Sequence, residues 1–356
     1  MSQRHRLIIA IVIGLLSTLM SFVLLHWRGY GDGDFTWPLG GASALLHHID
    51  PYTNPAFGPG KPYPYGDLLF YPMPALIIAL PFTVFPPYFA GALFFGIGSA
   101  VLGYAVTRDG YDRLPIFLSA PFFVAAYVAQ WSPLIVAAAF LPWLMPLAFA
   151  KPNLGLAIGV AYPRRRAIII TAVVYALSLL IMPRWPLEWL KNLRGIHHPM
   201  PILIIPGFLL LLAVVAWRRS AGRLLLVMAL VPQLTFFYDQ LPLWLIPRTW
   251  RQSLALSVCS WVAYGGWAYS NLHNPSMMDQ IALAVPWIIG CIYMPALAVL
   301  LWQQRQINAE ARVGNKAEPA IAGAVSSVGN NWGSIFQAIK LGPDRLLKGG
   351  RNWTSR

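Results

Sequence analysis

Arg28-Gly-Tyr-Gly-Asp32-Gly-Asp34-Phe-Thr-Trp37 follows an apolar stretch, residues 7–27, and opens the longest polar interval before the C-terminal tail. The interval continues through residues 42–48, Asp50-Pro51-Tyr52 and a Pro/Tyr-rich run. It ends at Phe70-Tyr71-Pro72-Met73-Pro74, where apolar sequence resumes. A bilayer-crossing helix needs about 20 residues, so 7–27 is expected to be a span and 28–70 the loop outside it. The segment is long for a signal-peptide core and lacks a small-x-small cleavage site before Arg28, so it is expected to be retained. Asp32 and Asp34 sit just past it among glycines. Two readings stand side by side: such residues shape a turn, or one of them is a general base at the mouth of a membrane-embedded cavity.

The rest of the chain has the composition of a membrane protein. Hydrophobic residues make up 57% and charged residues 11% of 356, too apolar for a soluble globular domain. The net charge of +14 suggests nucleic acid until its distribution is read. Basic clusters fall between apolar segments: Arg4 and Arg6, Arg164 to Arg166, Arg218, Arg219 and Arg223, Arg248 and Arg251, and the tail. Asp32, Asp34, Asp50, Asp67, Asp109, Asp112, Glu188, Asp239 and Asp279 fall in the opposite set of loops. This is the positive-inside pattern. It places both termini in the cytoplasm and 28–70 outside, and it argues against a nucleic-acid partner. Cys259 and Cys291 lie in apolar segments and suggest neither a disulfide framework nor a metal site.

Hydropathy and prolines divide residues 1–302 into ten to twelve transmembrane helices. The expected spans are 7–27, 71–85, 87–107, 114–129, 131–141, 142–162, 167–183, 200–217, two short helices within 224–247, 253–269 and 281–302. Residues 37–48 and the second outer loop, 184–199, are expected to hold interfacial helices. In the latter, Trp185, Trp189, Leu190 and Leu193 share a face. Residues 107–113 read as a short outer loop, and 303–356 as a basic cytoplasmic tail. The expected fold is an all-α multi-pass helical bundle.

Four groups could carry chemistry besides the two aspartates. Lys151, in Phe149-Ala150-Lys151-Pro152-Asn153, is a cation within an apolar run; it faces an interior cavity or snorkels from a helix end. Arg184, Lys191, Arg194, His197 and His198 form an outward cationic set. They suit a phosphate or, without catalysis, the headgroups of membrane lipids. Asp239, in Phe236-Phe237-Tyr238-Asp239-Gln240, either pairs with a cation such as Arg184 or Lys151 or marks an outer turn. His47-His48 and His197-His198 lack a third ligand and point apart on a helix, so no metal is expected. No phosphate-binding glycine loop or dinucleotide fingerprint occurs, which argues against a nucleotide-linked substrate and for no cofactor.

These pieces resemble the GT-C membrane glycosyltransferases, specifically the polyprenol-phosphate-dependent family 87, which includes bacterial alpha-mannosyltransferases. The likeness runs over about residues 7–302. It rests on Asp34 after the first span, Ala42, Asp50-Pro51-Tyr52, Phe70-Tyr71-Pro72 with Pro74 and Pro81, Gln130 opening a short helix, Lys151-Pro152 before Arg164 to Arg166, and loosely Pro232 to Gln240. Departures are the duplicated acid at Asp32, His47-His48-Ile49 in place of a glycine, and no His or Tyr after Asp239. The resemblance implies a polyprenyl-phosphate-sugar donor carrying a hexose, mannose foremost, or a pentose. It implies inverting transfer to a lipid or glycan acceptor on the outer face of a bacterial inner membrane, with no metal required. Tyr71, Gln130, Lys151, Arg184, Lys191, His197, His198 and Asp239 would bind substrate, and Asp34 or Asp32 would be the base. Two rivals stay open: a multi-pass transporter or lipid flippase without covalent chemistry, and a catalytically inert assembly partner.

Overall fold

Helix α1 (Gln3–Arg28) starts where the Ser2 side chain accepts the His5 N–H and stops at Gly29, whose φ of +66° supplies a left-handed cap. One face, Ala10, Gly14, Ser17, Ser21 and Leu25, is buried. The other exposes Leu15, Leu16 and Leu19. The buried face lies on α4 (Pro87–Val106). Small residues let the two backbones approach, as in helix pairs within lipid. A Cβ on Gly14 would stand 2.8 Å from Ala100 Cβ, and one on Gly96 only 1.7 Å from Thr18 Oγ1. The pair is antiparallel: Arg6 donates to the Tyr104 carbonyl at 2.8 Å at one end, and His26 meets the Tyr88 ring edge-on at the other.

In this computed structural model, residues 2–29, 31, 33–53, 56–57, 61–62, 68–194, 198–272 and 277–310 are described. Asp32, His197 and most of the expected tail, 311–356, lie outside them. The chain divides into two compact units, Met1–Leu301 and Trp302–Arg356; in the second, residues 302–310 are helical. Among the described residues of the first, the regular structure is helical apart from a two-residue ladder, Ala56–Phe57 with Lys61–Pro62.

Three helices are long and apolar enough to cross a membrane: Gln3–Arg28, Pro87–Asp109 and Asp279–Glu310. A fourth arises if Arg165–Ile181 and Trp185–Asn192, bent by 98°, count as one span. Several expected spans are instead short. Residues 71–85 form α3 (Met73–Ala79) and a 3₁₀ turn (Leu80–Phe82) after α2 (Thr36–Leu46). Residues 114–162 form a 3₁₀ helix (Leu114–Leu118), α5 (Ala120–Tyr127), α6 (Ser132–Ala138), α7 (Met145–Ala148) and α8 (Pro152–Ala161). Proline is the cause. Pro115, Pro121, Pro133, Pro146 and Pro152 each occupy the first or second position of one of these elements, where the missing N–H costs nothing but the preceding helix must end. Then come α9 (Arg165–Ile181), α10 (Trp185–Asn192), a 3₁₀ helix (Gly207–Ala216), α11 (Ser220–Leu230), a 3₁₀ helix (Phe237–Leu245), α12 (Trp250–Ser270) and α13 (Met277–Ile288), which continues through a π turn. Asp239 thus lies inside the first turn of a helix rather than at a turn between two.

One loop lies at the other end from its expected place. Residues 107–113 follow α4, whose C-terminal part sits beside Arg6, and Arg108 and Arg113 share a cavity with Arg164 and Arg248. The loop is therefore on the basic end of the molecule. α3 is shorter than a span, and α4 runs back along α1, which brings 107–113 to the Arg6 end.

Candidate functional site

Gly33 has a φ of +62°, and a Cβ there would stand 2.6 Å from the Val128 carbonyl. Only glycine allows the first loop this approach. The Asp34 N–H then donates to the same carbonyl at 2.8 Å, and Phe35, fully buried, stacks on Phe94 with ring centroids 4.0 Å apart. Asp34 is thereby fixed between two anchored neighbours and turned toward the end of α5.

Gln130 meets it there. The residue before, Ala129, has a φ of +48°, a left-handed conformation that costs a non-glycine residue on the order of 1 kcal/mol and clusters at functional sites. Gln130 Oε1 accepts from Trp131 N at 3.2 Å, which leaves Nε2 to donate to Asp34 Oδ2. The amide is oriented by its own backbone, so the carboxylate receives a donor and not an acceptor.

Two more segments close the cluster. Lys151 is the N-cap residue of α8. Its Nζ donates to Asp239 Oδ1 at 3.0 Å and lies 4.6 Å from the centre of the Tyr238 ring. Asp239 is buried in the first turn of the 3₁₀ helix Phe237–Leu245. Ser132, at the start of α6, donates to the Tyr238 carbonyl at 2.6 Å and ties these short helices together. Asp34 lies within electrostatic reach of Lys151, Asp239 and Arg28. Asp34 as a whole residue is half-buried. Burial raises the Asp34 carboxyl from its ordinary value to about 6; Lys151 pulls it down and Asp239 pushes it up, by smaller amounts. At neutral pH it is mostly ionised and suited in strength to accept a proton.

Tyr71 and His198 join the same group. Burial, and then the nearby Asp34 and Asp239 carboxylates, raise the Tyr71 phenol well above its usual range, so it stays protonated as a donor. Burial lowers the His198 imidazole, against the opposing pull of Asp239. Tyr71 is held from α10 and Tyr52. Trp189 Nε1 donates to the Phe70 carbonyl at 2.8 Å, Asn192 Nδ2 donates to the Tyr52 and Leu69 carbonyls at 3.2 Å each, and the Tyr52 hydroxyl donates to the Tyr71 carbonyl at 3.0 Å. The inward face of α10 is thus Trp185, Trp189 and Asn192, while Leu190 is exposed. The helix clamps the first loop instead of laying all its apolar residues on a membrane surface.

Of the sequence-derived candidates, the structure brings together Asp34, Tyr71, Gln130, Lys151, His198 and Asp239. Arg184 and Lys191 stand exposed on α10, where they act on Glu188 beside Asp50. Asp32 and His197 lie outside the described residues. Sequence reasoning missed Tyr238, Trp131 and Arg28. Tyr238 floors Lys151. The buried Trp131 Nε1 has no hydrogen-bond partner, and its ring lies 5.9 Å from that of Tyr71. Arg28 stacks on Tyr127 at 3.8 Å and is exposed, within electrostatic reach of Asp34. The one sequence signal for Arg28 was a cation on the acidic side of the pattern. Among the described residues no group of three or more His, Cys, Asp or Glu is placed to hold a metal. No protein-family model, curated protein or solved structure matches the chain.

Proposed function

We propose that the chain is a membrane glycosyltransferase of the GT-C kind, resembling family 87, that uses a polyprenyl-phosphate-linked sugar. The observation that supports this best is the convergence of Asp34, oriented by Gln130, with the Lys151–Asp239 pair at the ends of short helices. Asp34 takes the proton of the acceptor hydroxyl as that oxygen attacks the anomeric carbon from the side opposite the leaving group. The bond from that carbon to the phosphate oxygen breaks, and polyprenyl phosphate leaves with the electron pair. One base and one stabilised leaving group suffice for inversion.

Charge growing on the phosphate needs fixed positive partners. α8 and the 3₁₀ helix Phe237–Leu245 both begin at the cluster, and the positive ends of their dipoles favour an anion. Lys151 supplies a full charge once the phosphate competes with Asp239 for it, and Arg28, which also acts on Asp34, supplies another. The Trp131 Nε1–H is a donor awaiting an acceptor. In this reading Tyr71 and His198 contact substrate, and Arg184 and Lys191 meet lipid headgroups. The acceptor is a lipid or glycan on the outer face of a bacterial inner membrane, with both termini cytoplasmic.

A buried ion pair between broken helices also suits the second reading, a transporter or lipid flippase. Purified protein in nanodiscs, given radiolabelled polyprenyl-phosphate sugars and extracted lipid acceptors, separates the two. Label appearing in a new covalent product supports transfer. Label that stays on the donor, while proteoliposomes move donor lipid across the bilayer, supports transport.

A further inference from the structure

A cavity of about 250 Å3 opens at the basic end of the molecule, away from Asp34. Arg108, Arg113, Arg164 and Arg248 line it, and Asp109 is the carboxylate that faces them, so positive charge exceeds negative by three. These arginines come from three separate loops: the one after α4, the turn between α8 and α9, and the segment before α12. The neighbouring Asp112 is already engaged, accepting the Trp250 N–H at 2.8 Å. Arg113 is drawn inward: its Nη1 donates to the Leu245 carbonyl at 3.1 Å, and its guanidinium lies 5.6 Å from the centre of the Phe140 ring. Arg248 repels both Arg113 and the nearby Arg219.

Retention of positive loops in the cytoplasm requires only that arginines lie near the membrane. It does not require arginines from three loops to line one concavity, nor Arg248 to stand close enough to repel Arg113 there. That arrangement is relieved by an anion, and guanidinium forks match phosphate oxygens two at a time. The volume falls below that of ordinary drug-sized or cofactor pockets, about 300–1,000 Å3, and suits one or two phosphate groups. We propose that this cavity is a binding site for a phosphate-bearing anion, either a soluble diphosphate or the phosphodiester headgroup of an acidic lipid. It is separate from the Asp34 site and does not rest on the transferase reading.

The test uses the full chain in nanodiscs in two arms. In phosphatidylcholine discs, pyrophosphate is titrated by calorimetry. In discs that also contain phosphatidylglycerol, native mass spectrometry counts the phosphatidylglycerol retained after ejection from the disc. Wild type is expected to bind in at least one arm, and the arm that responds identifies the source of the phosphate. The Arg164→Gln/Arg248→Gln double variant should weaken that binding by about tenfold or more, one lost charge-assisted contact being worth roughly that factor. Arg218→Gln, outside the lining, should leave it unchanged. If the double variant fails to fold, the exposed Arg248→Gln alone should still show a several-fold loss. The proposal is overturned if wild type takes up neither probe, or if the folded Arg248 variants bind as wild type does.

Discussion

Lys151 Nζ and Asp239 Oδ1 meet at 3.0 Å, with side chains 15% and 4% exposed, where α8 and the 3₁₀ helix Phe237–Leu245 both begin. The pair joins the starts of two elements whose far ends, at Tyr162 and Leu245, line the basic cavity. α8 is ten residues long, about 15 Å. Breaking the pair leaves an uncompensated charge in a poorly solvated place. Asp239→Asn should therefore destabilise the protein by about 3 kcal/mol, and Lys151→Met by a similar amount. The double variant should cost less than the sum, with a coupling above roughly 1 kcal/mol. Reversible unfolding in mixed micelles measures all three; additive losses would show that the two charges do not sense each other.

Gly33→Ala should fold poorly or lose most activity. The new Cβ meets the Val128 carbonyl at 2.6 Å, in a backbone conformation that alanine disfavours. The expected cost is about 1–3 kcal/mol. Gly31→Ala, also at positive φ but with open space around it, should cost less. Melting temperatures of the two variants, compared directly, check the order.

The loop 107–113 is expected on the same side as Arg165. Single cysteines replacing Arg108 and Arg165, in a background lacking Cys259 and Cys291, should both resist an impermeant thiol reagent in intact cells. A cysteine at Thr53 should react. Labelling at 108 without labelling at 165 would separate two residues that the fold places at one end.

The pH dependence has a definite sign. Asp34 must be ionised to accept a proton, and burial raises its carboxyl from the ordinary value to about 6. kcat/KM should fall as pH drops below about 6 and level off above it. A limb at the ordinary carboxylate value would mean that Asp34 is solvated during turnover or is not the base.

Much of the site was readable because charge is conspicuous in apolar sequence. Asp34, Lys151 and Asp239 stood out for that reason, and the structure brings all three within reach of one another. Gln130 and Tyr71 carry no charge and entered only through the family resemblance. Tyr238 and Trp131 are ordinary aromatics in a chain rich in them, and only packing reveals what they touch. The long helices α1 and α4 were legible because an unbroken apolar run of span length has few alternatives. Short helices were not, since a proline marks a break without saying whether the chain turns back. Taking residues 71–85 as a full crossing put 107–113 at the end opposite Arg6, whereas the structure places it beside Arg6. Arg108 and Arg113 within that loop carried the correcting signal, outweighed in the reading by Asp109 and Asp112.

The most direct measurement is the transfer rate of Asp34→Asn with a polyprenyl-phosphate sugar in nanodiscs, beside wild type and Asp32→Asn. Asparagine keeps the shape and can still hydrogen-bond to Gln130 but cannot take the proton. Folding and donor binding should survive while turnover falls by about 100- to 10,000-fold, and Asp32→Asn should cost far less. Wild-type turnover in Asp34→Asn, in a preparation where wild type makes glycosylated product, would contradict the assignment of the base. Loss with Asp32→Asn alone would move the base two residues along the loop.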